Sequence, residues 1–135
     1  MSVTISMEGN VVDLAWVCDQ LHGSYWGAWL TDEQILGAIE NSLCFWAHHY
    51  DGVEAVPVGF CRVVTDGFTF SSVTDLLVAR EFQRQGIGTR LLQAALEHPK
   101  VSPTVCILST RDAASFYAKF GFERQLIGVL KRSPQ

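Results

Sequence analysis

The chain has 135 residues, 48% of them hydrophobic and 18% charged, with a formal net charge of −4. That length reads as one domain, 1–135, with a real core, and the apolar share excludes a disordered tail or a polar linker. The acidic balance argues against nucleic acid as a partner, because phosphate backbones select basic surfaces.

Val3 to Met7 alternates weakly and reads as an opening strand. Val11 to Leu21 carries Val12, Ala15 and Trp16 and reads as a first helix, stopped at Gly23. Ser24 to Leu30 is a loop dense in aromatics: Tyr25, Trp26 and Trp29. Thr31 followed by Gln34 is a capping-box signature for a second helix through Ile35, Ala38 and Ile39. Leu43 to Tyr50, Val58 to Thr65 and Phe68 to Ala79 are strands, separated by Asp51-Gly52 with Pro57 and by Asp66-Gly67. Short turn signals between them predict an antiparallel meander. A helix over Ile87–Glu97 ends before Pro99. Thr104 to Ser109 is a compact strand, Asp112 an N-cap for a helix over 113–120 closed by Gly121, and Phe122 to Leu130 a last strand. The order β-α-α-β-β-β-α-β-α-β predicts an α/β domain with an α+β type mixed sheet and helices packed on it.

Residues 1–9 have neither a basic flank nor an apolar run long enough for a secretory signal, and no stretch approaches about twenty apolar residues. A cytoplasmic chain with no membrane partner is the expectation. Cys18, Cys44, Cys61 and Cys106 share no CxxC spacing and sit among apolar residues. They read as buried small hydrophobes, and no metal is expected.

Gln83-Arg84-Gln85-Gly86-Ile87-Gly88 lies between the strand ending at Ala79 and the helix whose apolar residues are Ile87, Leu91, Leu92, Ala95 and Leu96. Its glycines allow a tight turn with no Cβ between the backbone amides and a ligand. The first helical turn leaves N–H groups unpaired at the positive end of the dipole, a place for phosphate. Arg80, Arg84, Arg90 and Arg111 cluster near these glycines in sequence. A plain βα turn is the structural alternative. A dinucleotide fingerprint needs a third glycine where Leu91 stands, which disfavours an NAD(P)-dependent reductase, and the Gly-Lys-Ser/Thr of a P-loop is absent.

The wider pattern resembles the GNAT family of N-acetyltransferases. The family's acetyl-CoA signature, Gln/Arg-x-x-Gly-x-Gly/Ala, is matched by Gln83, Gly86 and Gly88; its later Ala-x-x-x-Tyr and Gly-Phe elements are matched by Ala113, Tyr117, Gly121 and Phe122. The resemblance implies that the amides of Arg84, Gln85, Gly86, Ile87, Gly88 and Thr89 cradle the pyrophosphate of coenzyme A. It also implies that Leu77 and Val78 lend main-chain groups to the pantetheine arm, on a bulged strand splayed from its neighbour. An amide near Leu76 and Leu77 would polarise the thioester carbonyl. Many members carry Asn where this chain has Thr110; threonine still offers one hydrogen bond there, and Arg111 or Asp112 could substitute.

Acetyl transfer needs a neutral amine, an activated carbonyl and a protonated leaving sulfur. Tyr117 matches the family tyrosine that donates that proton, against the alternative of a core aromatic beside Phe116 and Phe120. For the base, Asp75 stands inside an apolar strand, where an ionisable group needs a purpose or a partner; it would relay the amine proton through water or hold a cationic substrate. Asp66 is the second substrate-side carboxylate, for which an Asx turn is a sufficient explanation. His48 and His49 read as a surface pair. Tyr25, Trp26 and Trp29 would wall the acceptor, and aromatic faces near a carboxylate suit an alkylammonium. The expected reaction is transfer from acetyl-CoA to a primary amine of a small molecule. A peptide N-terminus, an aminoglycoside-like polyamine and a non-catalytic acyl-CoA-binding module are the alternatives, and a homodimer is compatible with the sequence.

Overall fold

The computed structural model describes residues 2–125 and 128–134. Strand β1 (Val3–Ser6) is followed by helices α1 (Val11–His22) and α2 (Asp32–Glu40). Strands β2 (Leu43–Tyr50), β3 (Ala55–Thr65) and β4 (Phe70–Val78) come next, then a 3-10 turn (Arg80–Phe82), α3 (Ile87–Glu97), β5 (Val105–Ile107) and α4 (Ala114–Ala118). The five strands form one sheet in chain order, antiparallel except for the parallel β4–β5 pair. The meander and the α3 boundaries match the sequence reading.

Both first helices start on reciprocal caps. Thr31 and Gln34 form the expected capping box (Gln34 N to Thr31 Oγ1, 3.1 Å), and Asn10 with Asp13 forms a second. Alternation along the strands makes two cores. Phe45, Ala47 and Val63 face α3, whose Ile87, Leu91, Leu92 and Ala95 are buried against them. Cys44, Trp46 and Phe60 face Val17, Cys18 and Leu21 of α1 and Ile35 of α2. The sheet is therefore the middle of three layers. Gly59 fixes the approach of α3, since a Cβ there would stand 2.8 Å from Leu91 Cδ1 and 3.1 Å from Ala47 Cβ.

Four elements differ from expectation. β3 begins at Ala55 and contains Pro57, because the register slips at Ala47/His48 and leaves Val58 without a partner; proline is tolerated in a strand at such a bulge. Asp112 does not cap α4. No side chain caps this helix, which starts one residue later than expected, at Ala114; the Thr110 hydroxyl accepts from Ala113 N at 3.0 Å in the turn before it. Of the last strand expected over 122–130, residues 126 and 127 lie outside the described residues, and the described residues beside them are in no strand. β5, expected over Thr104 to Ser109, is only three residues long, Val105–Ile107.

Candidate active site

β4 and β5 pair only from Phe70–Val105 to Ser72–Ile107. Beyond that they part, and a cleft of about 900 Å3 opens between Ser72–Leu76 on one side and Leu108–Ala113 on the other. Tyr117, Gln83, Tyr25 and Trp26 complete its lining.

A bulge shapes the β4 wall. Phe60 pairs with Leu77 and Arg62 with Thr74, so three steps along β4 oppose two along β3. The extra residue sits at Asp75–Leu76, and Asp75 adopts φ 53, a left-handed conformation unusual for a side chain other than glycine. Its consequence is legible in the cores. Val73 and Leu77 are four residues apart and would share a face in a regular strand, yet Val73 packs towards α3 and Leu77 towards α1. The bulge turns the strand over, and Leu76, without a register partner, lines the cleft.

Asp75 is 9% exposed and its two oxygens are engaged. Arg62 Nε donates to Oδ2 at 2.8 Å, and the Trp26 indole donates to Oδ1 at 2.9 Å. Arg62 Nη1 in turn donates to Ser42 Oγ at 3.0 Å. Sequence reasoning singled out Asp75 but not Arg62. The signal was available as two lone charges of opposite sign in consecutive apolar strands. Both carboxylate oxygens are thus taken by protein donors rather than left open to a ligand.

Beyond β4 the Gln83 side chain donates to Val78 O at 3.1 Å, and the chain enters α3 through Arg84 at φ 64 and Gly86 at φ 80. Open space surrounds the position a Cβ would take on Gly86. Arg90 N closes the first helical bond to Gly86 O at 3.1 Å, and the N–H groups of Gly86, Ile87, Gly88 and Thr89 donate to no acceptor among the described residues. No side chain caps this end. Donors at a helix start, uncapped and facing outward, are the physical requirement for an anion site.

Tyr117, on α4, is half-buried and packs edge-on to Phe116 and Phe122 at ring separations of 5.1 and 6.0 Å. Burial pushes its phenol above its ordinary value, with the neighbouring Cys61 and Tyr25 acting in the same direction. Its hydroxyl makes no hydrogen bond to another described residue, so it is a protonated donor available to a ligand. Across the cleft mouth the Arg111 guanidinium lies 3.8 Å over the Tyr25 ring, and Tyr25 meets Trp26 edge-on at 5.0 Å.

Other expected site residues stand elsewhere. Trp29 is 64% exposed and outside the cleft lining. Asp66 closes the β3–β4 turn: Oδ1 accepts from Phe68 N at 2.8 Å and Thr69 N at 2.7 Å, and Oδ2 from the Thr69 hydroxyl. The Thr69 hydroxyl and these amides hold its carboxyl well below the usual range. Its job is the turn. His48 is not a surface residue, because its Nε2 meets the buried Asp13 carboxylate at 3.1 Å; His49 packs on Phe82. Cys18, Cys44 and Cys61 are buried, and Cys106 half-buried, all as free thiols. Among the described residues no group of three or more His, Cys, Asp or Glu could hold a metal. No helix among them is long and apolar enough to cross a membrane.

The family model for a GNAT acetyltransferase domain matches residues 40–124, a span that includes both strand walls of the cleft, the α3 entry and Tyr117, though not Tyr25 or Trp26. The chain belongs to the GNAT acetyltransferase family. It is an enzyme of the N-acetyltransferase class. Among solved structures it is similar to a protein from Xanthomonas campestris pv. campestris assigned to the GNAT family, with 27% identity, 99% of this chain and 94% of that one covered, and a TM-score of 0.86. It is also similar to a GNAT-family acetyltransferase from Streptococcus pneumoniae TIGR4, with 26% identity, 99% and 98% covered and a TM-score of 0.72. The fold is shared with PaiA N-acetyltransferase from Thermoplasma acidophilum, solved in complex with coenzyme A, at 21% identity, 95% and 94% coverage and a TM-score of 0.71. Among curated proteins none matches this sequence.

Proposed function

We propose that this enzyme moves an acetyl group from acetyl-CoA to the primary amine of a small molecule by direct attack on the thioester. One observation carries the reading: the β4–β5 cleft has an unengaged tyrosine hydroxyl in its wall, and its lining includes Gln83, from which the chain runs into a helix start with unpaired amides. The residues fit the carrier. Gly86, Ile87, Gly88 and Thr89 supply main-chain donors for a diphosphate, with Gln83, Arg84 and Gln85 beside them. The β4 edge beyond Ser72, where β5 no longer pairs with it, suits an extended amide-bearing arm that adds to the sheet, with Thr110 on the facing wall; Leu77 and Val78 lie outside the cleft lining, and Val78 O already accepts from Gln83. When bound, acetyl-CoA supplies an activated acyl group on sulfur.

The chain's own residues then do three things. Tyr25 and Trp26 present aromatic faces to the incoming amine. The Leu76 end of the bulge turns main-chain dipoles toward the carbonyl oxygen, where charge develops. Tyr117 gives its phenolic proton to sulfur as the N–C bond forms and the C–S bond breaks, and it is reprotonated from solvent. The amine sheds its own proton to water at the cleft mouth, since Asp75 is engaged by Arg62 and Trp26.

The reading is tested by titrating the protein with coenzyme A and with NADH, then screening small amines and short peptides for thiol release from acetyl-CoA. Coenzyme A binding with turnover on small amines supports it. Turnover confined to peptide N-termini would reassign the acceptor, and binding without turnover on any amine would leave a non-catalytic module.

A further inference from the structure

The mechanism leaves unexplained why a buried aspartate, in an unfavourable backbone conformation, should stand at the bulge. Four observations meet there. Asp75 is the residue with φ 53, so the bulge needs it to stay in the left-handed region. Its carboxylate is tied to β3 through Arg62 Nε, at 2.8 Å, and Arg62 is tied to the start of β2 through Ser42 Oγ, at 3.0 Å. Its other oxygen accepts from the indole of Trp26, which belongs to the loop between α1 and α2, 49 residues away in sequence. Arg62 and Asp75 are both largely shielded, with side-chain exposures of 17% and 7%, so water competes poorly for this pair.

We propose that Arg62 and Trp26 are positioning residues, which act through Asp75 to lock the β4 bulge and to couple the acceptor loop to it. Arg62 holds the carboxylate from the sheet side, so that the Asp75–Leu76 backbone keeps the kink that turns Leu76 into the cleft. Trp26 holds it from the loop side, so that the acceptor wall and the carbonyl-polarising end of β4 move together. Loss of either link loosens both. The catalytic consequence rests on the acetyl-transfer reading; the mechanical coupling does not.

The coupling is tested first, by hydrogen–deuterium exchange on Trp26→Phe, which keeps an aromatic ring and removes the indole donor. Exchange is expected to rise in residues 24–30 and also at residues 75–77. A rise confined to the loop would overturn the coupling. The catalytic consequence is tested with Arg62→Met/Asp75→Asn, which leaves no unpaired buried charge, and with Arg62→Lys. Relative to wild type, the folded double variant should bind coenzyme A within about twofold. The carbonyl stretch of bound [1-13C]acetyl-CoA should return toward that of the free thioester, and thiol release with water as acceptor should fall at least about tenfold, as weaker carbonyl polarisation requires. Arg62→Lys should recover part of both, because an ammonium can still meet Asp75. An unchanged carbonyl band and rate in the folded double variant would refute the positioning role. If the double variant fails to fold, Trp26→Phe decides, because it removes the indole link to Asp75: a carbonyl band and a water-acceptor rate identical to wild type there would refute the positioning role. Wild-type protein that binds no coenzyme A would instead sink the acetyl-transfer reading, and the exchange experiment would still judge the coupling.

Discussion

Replacing Tyr117 by Phe removes one oxygen and leaves the ring where it is. The hydroxyl has no hydrogen bond to another described residue, and the ring contacts with Phe116 and Phe122 survive, so stability should change by no more than about 0.5 kcal/mol. The catalytic effect should be far larger. A positioned general acid contributes roughly 10²- to 10⁴-fold, about 2.7 to 5.5 kcal/mol of barrier. Burial raises the phenol above its ordinary value of about 10, so the proton stays on oxygen across the physiological range. The sign follows: wild-type turnover should hold as pH rises through 9 and fall only above about 10, when the acid is lost. The assay is thiol release from acetyl-CoA against pH, beside calorimetric titration with coenzyme A. Tyr117→Phe should lose at least about a hundredfold in kcat, lose the alkaline fall, and bind coenzyme A as wild type does. A kcat within about twofold of wild type would show that the sulfur leaves without this proton, and the reasoning from geometry would fail.

Further outcomes follow from single observations. Asp75→Asn should leave the shape of the pH–rate curve unchanged while slowing turnover; disappearance of an acid-side inflection would restore Asp75 as the base. Gly59→Ala should lower stability by about 1–3 kcal/mol in a denaturant melt, because its Cβ would stand 2.8 Å from Leu91 Cδ1; an unchanged midpoint would mean that α3 shifts freely. Asp66→Asn should lower Tm at pH 7 and spare turnover. The Asp66 carboxyl is held down in the folded chain, so its stabilisation is present above the ordinary value of about 3.9 and is lost as pH falls below it, and the two melting curves should converge in acid. Native protein should react with a thiol reagent first at the half-buried Cys106, whereas Cys61, buried and pushed up to about 12, should react only on unfolding.

Local signals were legible in the sequence. The Thr31–Gln34 cap, the Gly86–Gly88 junction and the apolar spacing from Ile87 to Glu97 each concern residues within one or two helical turns, and each stands where it was expected. Tyr117 was found through its family motif and does line the cleft. What could not be read depends on register. That Arg62 meets Asp75 follows from a β3–β4 pairing with one extra residue, and alternation alone does not count bulges. The same holds for Pro57, which is admitted to β3 by the slip at Val58. Trp26 and Trp29 looked equivalent in sequence; only the fold aims one at a carboxylate and leaves the other on the surface. Asp112 caps nothing because α4 begins at Ala114 with Ala113 at the cap position, while the Thr110 hydroxyl holds the Ala113 amide in the turn before it.

The acetyl-transfer reading stands or falls with a diphosphate held on the uncapped amides at the start of α3. An amide-resolved NMR titration with coenzyme A, compared with pantetheine, tests it directly. Coenzyme A should move the Gly86, Ile87, Gly88 and Thr89 resonances, and pantetheine, lacking the diphosphate, should leave them in place. Saturable coenzyme A binding that leaves those four amides unmoved would contradict it.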